Sequence, residues 1–126
     1  LVRNMLEKLK TNSLYPVFTD QIITPTFIDD LCLVFKTIID RRPTGIFHAV
    51  GSSFLSPYEI AKKIAAVFEI KADIKAGSFK EFMLKEPRPR QQYLKVSNAK
   101  LKQELGVTMK TLDDALKILK DQVVGI

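Results

Sequence analysis

The chain has 126 residues, the length of one domain, and is 46% hydrophobic and 27% charged, the balance of an ordinary globular protein. Its formal net charge of +6 comes largely from lysines scattered along helical segments, such as Lys62, Lys63, Lys117 and Lys120. No basic block alternates with aromatics, so the charge reads as solvated helix faces and not as a nucleic-acid interface. No apolar run approaches the roughly 20 residues of a membrane span, and the single cysteine, Cys32, excludes an internal disulfide and suits a reducing cytoplasm.

The opening LVRNMLEKLK lacks the apolar core and cleavage site of a signal peptide. It reads as a helix already under way, with Leu1, Met5 and Leu9 (or Val2, Leu6 and Leu9) on one side. A chain that starts so is expected to be a piece of something longer. LYPVFTDQIITP, β-branched and aromatic with Pro16 and Pro25 at its margins, predicts an extended segment.

PTFIDDLCLVFKTIIDRR predicts a helix whose buried stripe is Ile28, Leu31, Phe35 and Ile38. Asp29 and Asp30 in its first turn and Arg41 and Arg42 in its last match the helix dipole, and Pro43 ends it. Cys32, beside the stripe, reads as a small core residue. GIFHAVG, between Gly45 and Gly51, predicts a short buried strand with Ile46, His48 and Val50 on one face and Phe47 and Ala49 on the other. Apolarity on both faces is typical of strands covered by helices in an α/β sheet. No other stretch makes a comparable strand, so its hydrogen-bonding partners are expected outside this chain. His48, alone in that strand, reads as a satisfied core group.

SPYEIAKK begins a helix: Ser56, Pro57 and Glu59 form a capping box with proline at the first position. Ile60, Ala61, Ile64, Ala65 and Phe68 make its buried face, with Tyr58 at the edge, Lys62 toward solvent, and Glu59 paired to Lys63. Tyr58 and Lys62 also match the Tyr-x-x-x-Lys spacing of many NAD(P)-dependent enzymes. That chemistry needs a glycine-rich turn cradling the cofactor phosphates. Gly45, Gly51, Gly77, Gly106 and Gly125 are too dispersed to form one. The match therefore reads as coincidence, and no catalytic or cofactor-binding residue is assigned.

Further on, ADIKA predicts an extended piece and GSFKEFML a short helix, followed by the loop KEPRPRQQ. Ser97 is expected to cap NAKLKQEL, which Gly106 ends, and Thr111 to cap a last helix running to Val124. No second Cys or His stands at ligand spacing, so no metal is expected.

Three stretches in order carry a resemblance: TDQIITPTFIDDLCLVFKTI, with its Asp-Gln…Pro-Thr segment; GIFHAVGSSFLSPYEIAKKIAAVF; and EPRPRQQYLKVSNAKLKQELGV, with its Arg-Pro, Leu, Asn-x-Lys-Leu and Leu-Gly series. Together they resemble the C-terminal part of the dTDP-4-dehydrorhamnose reductases, within the extended short-chain dehydrogenase/reductase (NAD-dependent epimerase/dehydratase) superfamily. The resemblance covers nearly the whole chain. It implies an α/β fold class in which residues 1–126 form one mostly helical substrate-binding lobe with a few short strands. The Rossmann dinucleotide-binding domain would lie N-terminal to it and outside this chain, taking the catalytic Tyr-x-x-x-Lys pair with it, and IFHAV would join the edge of its sheet.

The implied function is the substrate-binding portion of an NAD(P)-dependent reductase of a nucleotide-linked 4-keto-deoxysugar in dTDP-rhamnose biosynthesis. NAD(P)H belongs to the complete enzyme, and none is expected on this chain alone. The implied partners are a nucleotide-diphosphate sugar, the Rossmann domain and a second copy in a homodimer, with no nucleic acid and no membrane. The alternatives are an epimerase or dehydratase of another nucleotide sugar, a non-catalytic relative such as the methionine adenosyltransferase regulatory subunit, and a free-standing helical interaction domain. Ile23 stands where the family favours glycine, which bears on the shape of the loop before Pro25 and on the choice of sugar.

Four residues follow from the resemblance as substrate-binding candidates. Arg88 matches an arginine that lies near the nucleotide diphosphate in related enzymes; its guanidinium suits phosphate oxygens, and Pro87 and Pro89 stiffen its loop. Against that stands the reading of a solvated surface arginine. Arg90 is a second cation of the same loop. Gln21 offers an amide to sugar or base, and Thr26 either does likewise or caps its helix, with Asp29 three residues on. Asp20 reads as structural.

Overall fold

A computed structural model describes residues 1–123. Its elements are α1 (Val2–Lys10), β1 (Val17–Phe18), α2 (Ile28–Arg41), α3 (Pro57–Val67), β2 (Ala76–Gly77), α4 (Phe79–Met83), α5 (Ala99–Leu105) and α6 (Leu112–Val123). The expected helices are all present; the extension of the last one to Val124 lies outside the described residues. β1 and β2 pair in parallel, with Val17 opposite Ala76 and Phe18 opposite Gly77. Beyond β1 the same extended segment bridges Ile22 to Tyr93 and Ile23 to Leu55. Residues 17–23 thus form a spine to which three distant parts of the chain are hydrogen-bonded. The structure is mainly helical with one small two-stranded sheet.

Helix α3 is central because its start is specified locally and its inner face is wholly apolar. Ser56 Oγ accepts from the Glu59 amide at 3.2 Å, while the Glu59 carboxylate accepts from the Ser56 amide at 2.7 Å. Ile60, Ala61 and Ile64 are completely buried against Met5, Leu6 and Leu9 of α1, Val17 of β1, and Leu112 and Leu116 of α6. Removing each of the isoleucine and leucine side chains from water contributes roughly 1.5–3 kcal/mol. Glu59 does not pair with Lys63: the capping box occupies it, and Lys63 instead reaches Asp113 of α6 at 2.9 Å.

A second core forms around Val34, Leu101, Leu105, Val107 and Met109, with Leu31, Ile38, Phe47 and Ala49 packed on it. Here α2 departs from expectation. It turns Asp30 and Val34 fully inward with Leu31 and Ile38 beside them, and leaves Ile28 (69% exposed), Phe35 (60%) and Ile39 (71%) outside. Cys32 is exposed as well. The helix carries two apolar arcs, and among the described residues only one is packed into a core. Asp30 is 2% exposed, and its carboxylate accepts from the Lys110 amide at 2.7 Å and the Lys110 ammonium at 2.6 Å. Arg41 serves a neighbouring helix, donating to the carbonyls of Glu104 and Leu105 at the end of α5.

The GIFHAVG segment lies on this second core without becoming a strand. Phe47 and Ala49 pack inward, whereas Ile46 is 77% exposed and His48 is exposed, so His48 is not the core group expected. Among the described residues no backbone–backbone hydrogen bond joins Ile46–Val50 to a neighbour. Only side chains reach it: Lys100 Nζ to the Ile46 carbonyl at 3.1 Å and Asn98 Nδ2 to the Val50 carbonyl at 3.0 Å. The ribbon ends at Gly51, where a Cβ would come within 2.0 Å of the Pro25 carbonyl oxygen.

At the ends of the last two helices, local signals hold in part. Gly106 takes the left-handed conformation closing α5, and Thr111 Oγ1 accepts from the Asp114 amide at 3.3 Å. Asn98 occupies the cap position of α5 with its amide drawn to the ribbon, while Ser97, one residue earlier, still serves the helix start: its Oγ accepts from the Ala99 amide at 3.2 Å.

Candidate substrate-binding site

Phe18 opens the site. Its ring meets Phe79 edge-on at 5.4 Å and Phe82 at 5.3 Å between centroids, joining the spine to α4. Pro16, Phe18, Ser78, Phe82 and Lys85 line an open hollow of about 510 Å³. One wall is held by Asp20, whose carboxylate accepts from the Phe79 amide at 2.6 Å and from the Lys80 amide and Ser78 hydroxyl at 3.2 Å. These amides belong to the first turn of α4, where no carbonyl can satisfy them. The Phe79 amide chiefly, opposed by partial desolvation and assisted by Lys80, holds the Asp20 carboxyl below the usual aspartate value. Its structural reading stands.

The arginine loop is stapled to the same spine. Ile22 N donates to Gln92 O at 2.9 Å, and Leu94 N to Ile22 O at 2.8 Å. The side chains reinforce this reciprocally: Gln21 Nε2 donates to Gln91 O at 3.1 Å, and Gln92 Nε2 to Asp20 O at 2.7 Å. Gln21 is therefore at the loop, but its amide is engaged in holding it. Arg90 lies over Phe82, 5.4 Å from the ring centroid, and touches Glu86 at 3.4 Å. Among the described residues the Arg88 guanidinium has no hydrogen-bond or ion-pair partner, and only its backbone amide is held, by Glu86 at 3.2 Å.

Thr26 stands apart from this group. Its hydroxyl accepts from the Gly51 amide at 3.1 Å and donates to Thr24 O at 3.4 Å. Phe27 takes the cap position of α2 without a side-chain bond, so the capping reading of Thr26 does not hold. Thr26 also edges a separate, largely apolar cavity of about 300 Å³ between α1 and α6. The spine thus gathers Gln21, Arg88 and Arg90, and Thr26 pins the end of the ribbon.

Glu86, Gln92 and Phe82 were not singled out from the sequence. The signal for Gln92 was the QQ pair placed to answer Asp-Gln. Nothing local marked Phe82 or Glu86, whose partners become visible only when the loop folds back. Tyr58 and Lys62 sit on α3, with Lys62 Nζ 5.5 Å from the Tyr58 ring centroid and the ring packed on the first core. Among the described residues no group of His, Cys, Asp and Glu is placed to hold a metal ion, and no helix is long and apolar enough to cross a membrane. The site offers an arginine for an anion, an aromatic-walled hollow and amide groups.

Comparison with known proteins gives this arrangement a lineage. Residues 1–124 match the family model described as the RmlD substrate binding domain. A probable low-salt glycan biosynthesis reductase of Haloferax volcanii is 31% identical over 83% of this chain and 35% of its own length. A dTDP-4-dehydrorhamnose reductase structure from Clostridium acetobutylicum superposes with a TM-score of 0.86 at 27% identity, over 98% of this chain and 44% of that one. One from Bacillus anthracis, described in complex with NADP, superposes with a TM-score of 0.82 at 24% identity, over 97% and 43%. The chain spans about a third of the curated relative's length. The family match over residues 1–124 and the fold agree: the chain belongs to the RmlD substrate binding domain family, the substrate-binding region of dTDP-4-dehydrorhamnose reductase-like proteins.

Proposed function

We propose that this lobe holds the nucleotide-diphosphate sugar of an NAD(P)-dependent 4-keto-deoxysugar reductase, with Arg88 on the diphosphate and the Phe18–Phe82 hollow beside it. The observation that carries the reading is Arg88. It is a fork-shaped cation on a loop stapled at several points to the spine, yet its guanidinium has no partner among the described residues. In a loop this well tied, a free guanidinium is organised for an anion from outside. Gln21 and Gln92 set the loop's position, and Arg90 adds positive potential. Thr26 contributes through the Pro25–Gly51 junction.

The reducing cofactor is assigned to an N-terminal dinucleotide-binding domain. The residues of this lobe do not fit a dinucleotide: Gly45, Gly51 and Gly106 lie in separate loops and Gly77 within β2, and together they build no phosphate-binding loop. Support for such a domain comes from the Ile46–Val50 ribbon, whose backbone lacks a ladder among the described residues and whose outward face exposes Ile46 beside His48. Unpaired backbone groups on an apolar segment favour a neighbouring strand.

The test is a titration of the 126-residue chain with dTDP, UDP and inorganic pyrophosphate, followed by amide chemical shifts up to millimolar ligand. Residues 18–22 and 86–94 are expected to respond, and Arg88→Ala is expected to weaken binding about tenfold, the loss of one charge-assisted contact. No response to millimolar dTDP, or a response confined to other residues, overturns the assignment. Oxidation of NADPH by the purified chain overturns the placement of the cofactor elsewhere.

A further inference from the structure

The two arginines of the loop are chemically alike and two residues apart, yet the structure treats them differently. The cause is Glu86. Its backbone is fixed at the end of α4, where its amide donates to Phe82 O at 3.2 Å. Its side chain is only 14% exposed, although the Arg90 side chain it meets is 53% exposed. One carboxylate oxygen accepts from the Arg88 amide at 3.2 Å, closing a tight turn across Pro87. The other faces Arg90 Nη2 at 3.4 Å, and the Arg90 guanidinium lies over Phe82.

We propose that Glu86 is a positioning residue that divides the loop arginines: it holds Arg90 against Phe82 and the Arg88 backbone in a turn, leaving the Arg88 guanidinium as the phosphate-binding group. This rests on the reading of Arg88 given above. A carboxylate beside one arginine satisfies that cation and repels an incoming phosphate from it, so the ligand is directed to the other. Pro87 and Pro89 restrict the backbone on both sides of Arg88, so the turn that Glu86 closes also sets the direction in which the guanidinium leaves the chain.

The experiment is a dTDP titration of the 126-residue chain carrying Arg88→Ala, Arg90→Ala, Glu86→Ala, Glu86→Gln, and Glu86→Ala combined with Arg90→Ala. The expected results are a loss of about tenfold for Arg88→Ala and less than threefold for Arg90→Ala. Glu86→Ala should weaken binding severalfold, and Glu86→Gln, which keeps an oxygen for the Arg88 amide, should restore most of it. With Glu86 replaced by alanine, Arg90 is free to compete, so adding Arg90→Ala should cost more than it does in the parent chain. Unchanged affinity in Glu86→Ala, or additive effects of the two substitutions, overturns the proposal while leaving Arg88 as the ligand. A loss larger for Arg90→Ala than for Arg88→Ala also overturns it. Absence of dTDP binding by the unsubstituted chain overturns both this proposal and the reading on which it rests. An unfolding midpoint that falls equally in Glu86→Ala and Glu86→Gln, with affinity tracking it, identifies a purely structural role and overturns the proposal.

Discussion

Asp20 shows how much one side chain organises here. Three donors from the start of α4 converge on its carboxylate, and its carbonyl receives Gln92 from the arginine loop. The charged form is favoured in the folded chain, so its pKa is lowered. The stabilisation is therefore fully present above the pH at which a free aspartate titrates, and is lost as pH falls through the lowered folded value. Asp20→Asn keeps the size of the side chain but removes this linkage. It is expected to lower the thermal midpoint at pH 7 and to flatten the decline in stability below about pH 4; melts between pH 2.5 and 7 measure both. An unaltered acid limb would show that Asp20 is not a source of the linkage. At this scale the Ser56–Glu59 box was readable, because both partners lie within one helical turn. The capping reading of Thr26 fails, because the amide that claims its hydroxyl belongs to Gly51, 25 residues away.

Among the elements, α2 is where pattern and packing diverge most. Periodicity predicted a stripe of Ile28, Leu31, Phe35 and Ile38, and half of it faces outward. A helix with apolar residues around most of its circumference does not state which arc meets which neighbour. The choice is made by α5 and the turn before α6, where Lys110 engages Asp30 through both its backbone and its ammonium. Asp30→Asn leaves that turn with a weaker acceptor and is expected to cost about 2 kcal/mol, within the range for hydrogen bonds to a charged group. Urea unfolding at pH 7 checks it, and a change below about 0.5 kcal/mol would show that the pair does not fix the helix. The same logic explains Arg41. The dipole argument placed it correctly in the last turn of α2, but its hydrogen bonds end α5.

For the whole molecule, the uneven surface is the main consequence of the fold. Ile28, Phe35 and Ile39 on α2 and Ile46 on the ribbon are each more than half exposed, while the two cores beneath them are closed. This surface supports the proposal that a dinucleotide-binding domain packs against the lobe. If the outward face of α2 adds nothing to the stability of the lobe itself, Phe35→Glu should unfold within about 0.5 kcal/mol of the parent chain in urea. A loss of more than about 1 kcal/mol would place Phe35 in a core of this chain. Sedimentation of the same pair across concentration tests the expected homodimer, which a glutamate on that face should weaken if the face takes part.

The order of helices, their starts at Ser56 and Thr111, the stop at Gly106 and the family resemblance were determined by the sequence alone, because each depends on residues close together along the chain. Tertiary structure alone decided which arc of α2 is buried, that His48 and Cys32 are exposed, and that the Glu86 carboxylate meets the guanidinium of Arg90 but only the backbone amide of Arg88. Those outcomes depend on contacts across 25 to 80 residues or on atoms a few ångströms apart in a folded loop, and neither periodicity nor spacing encodes such distances.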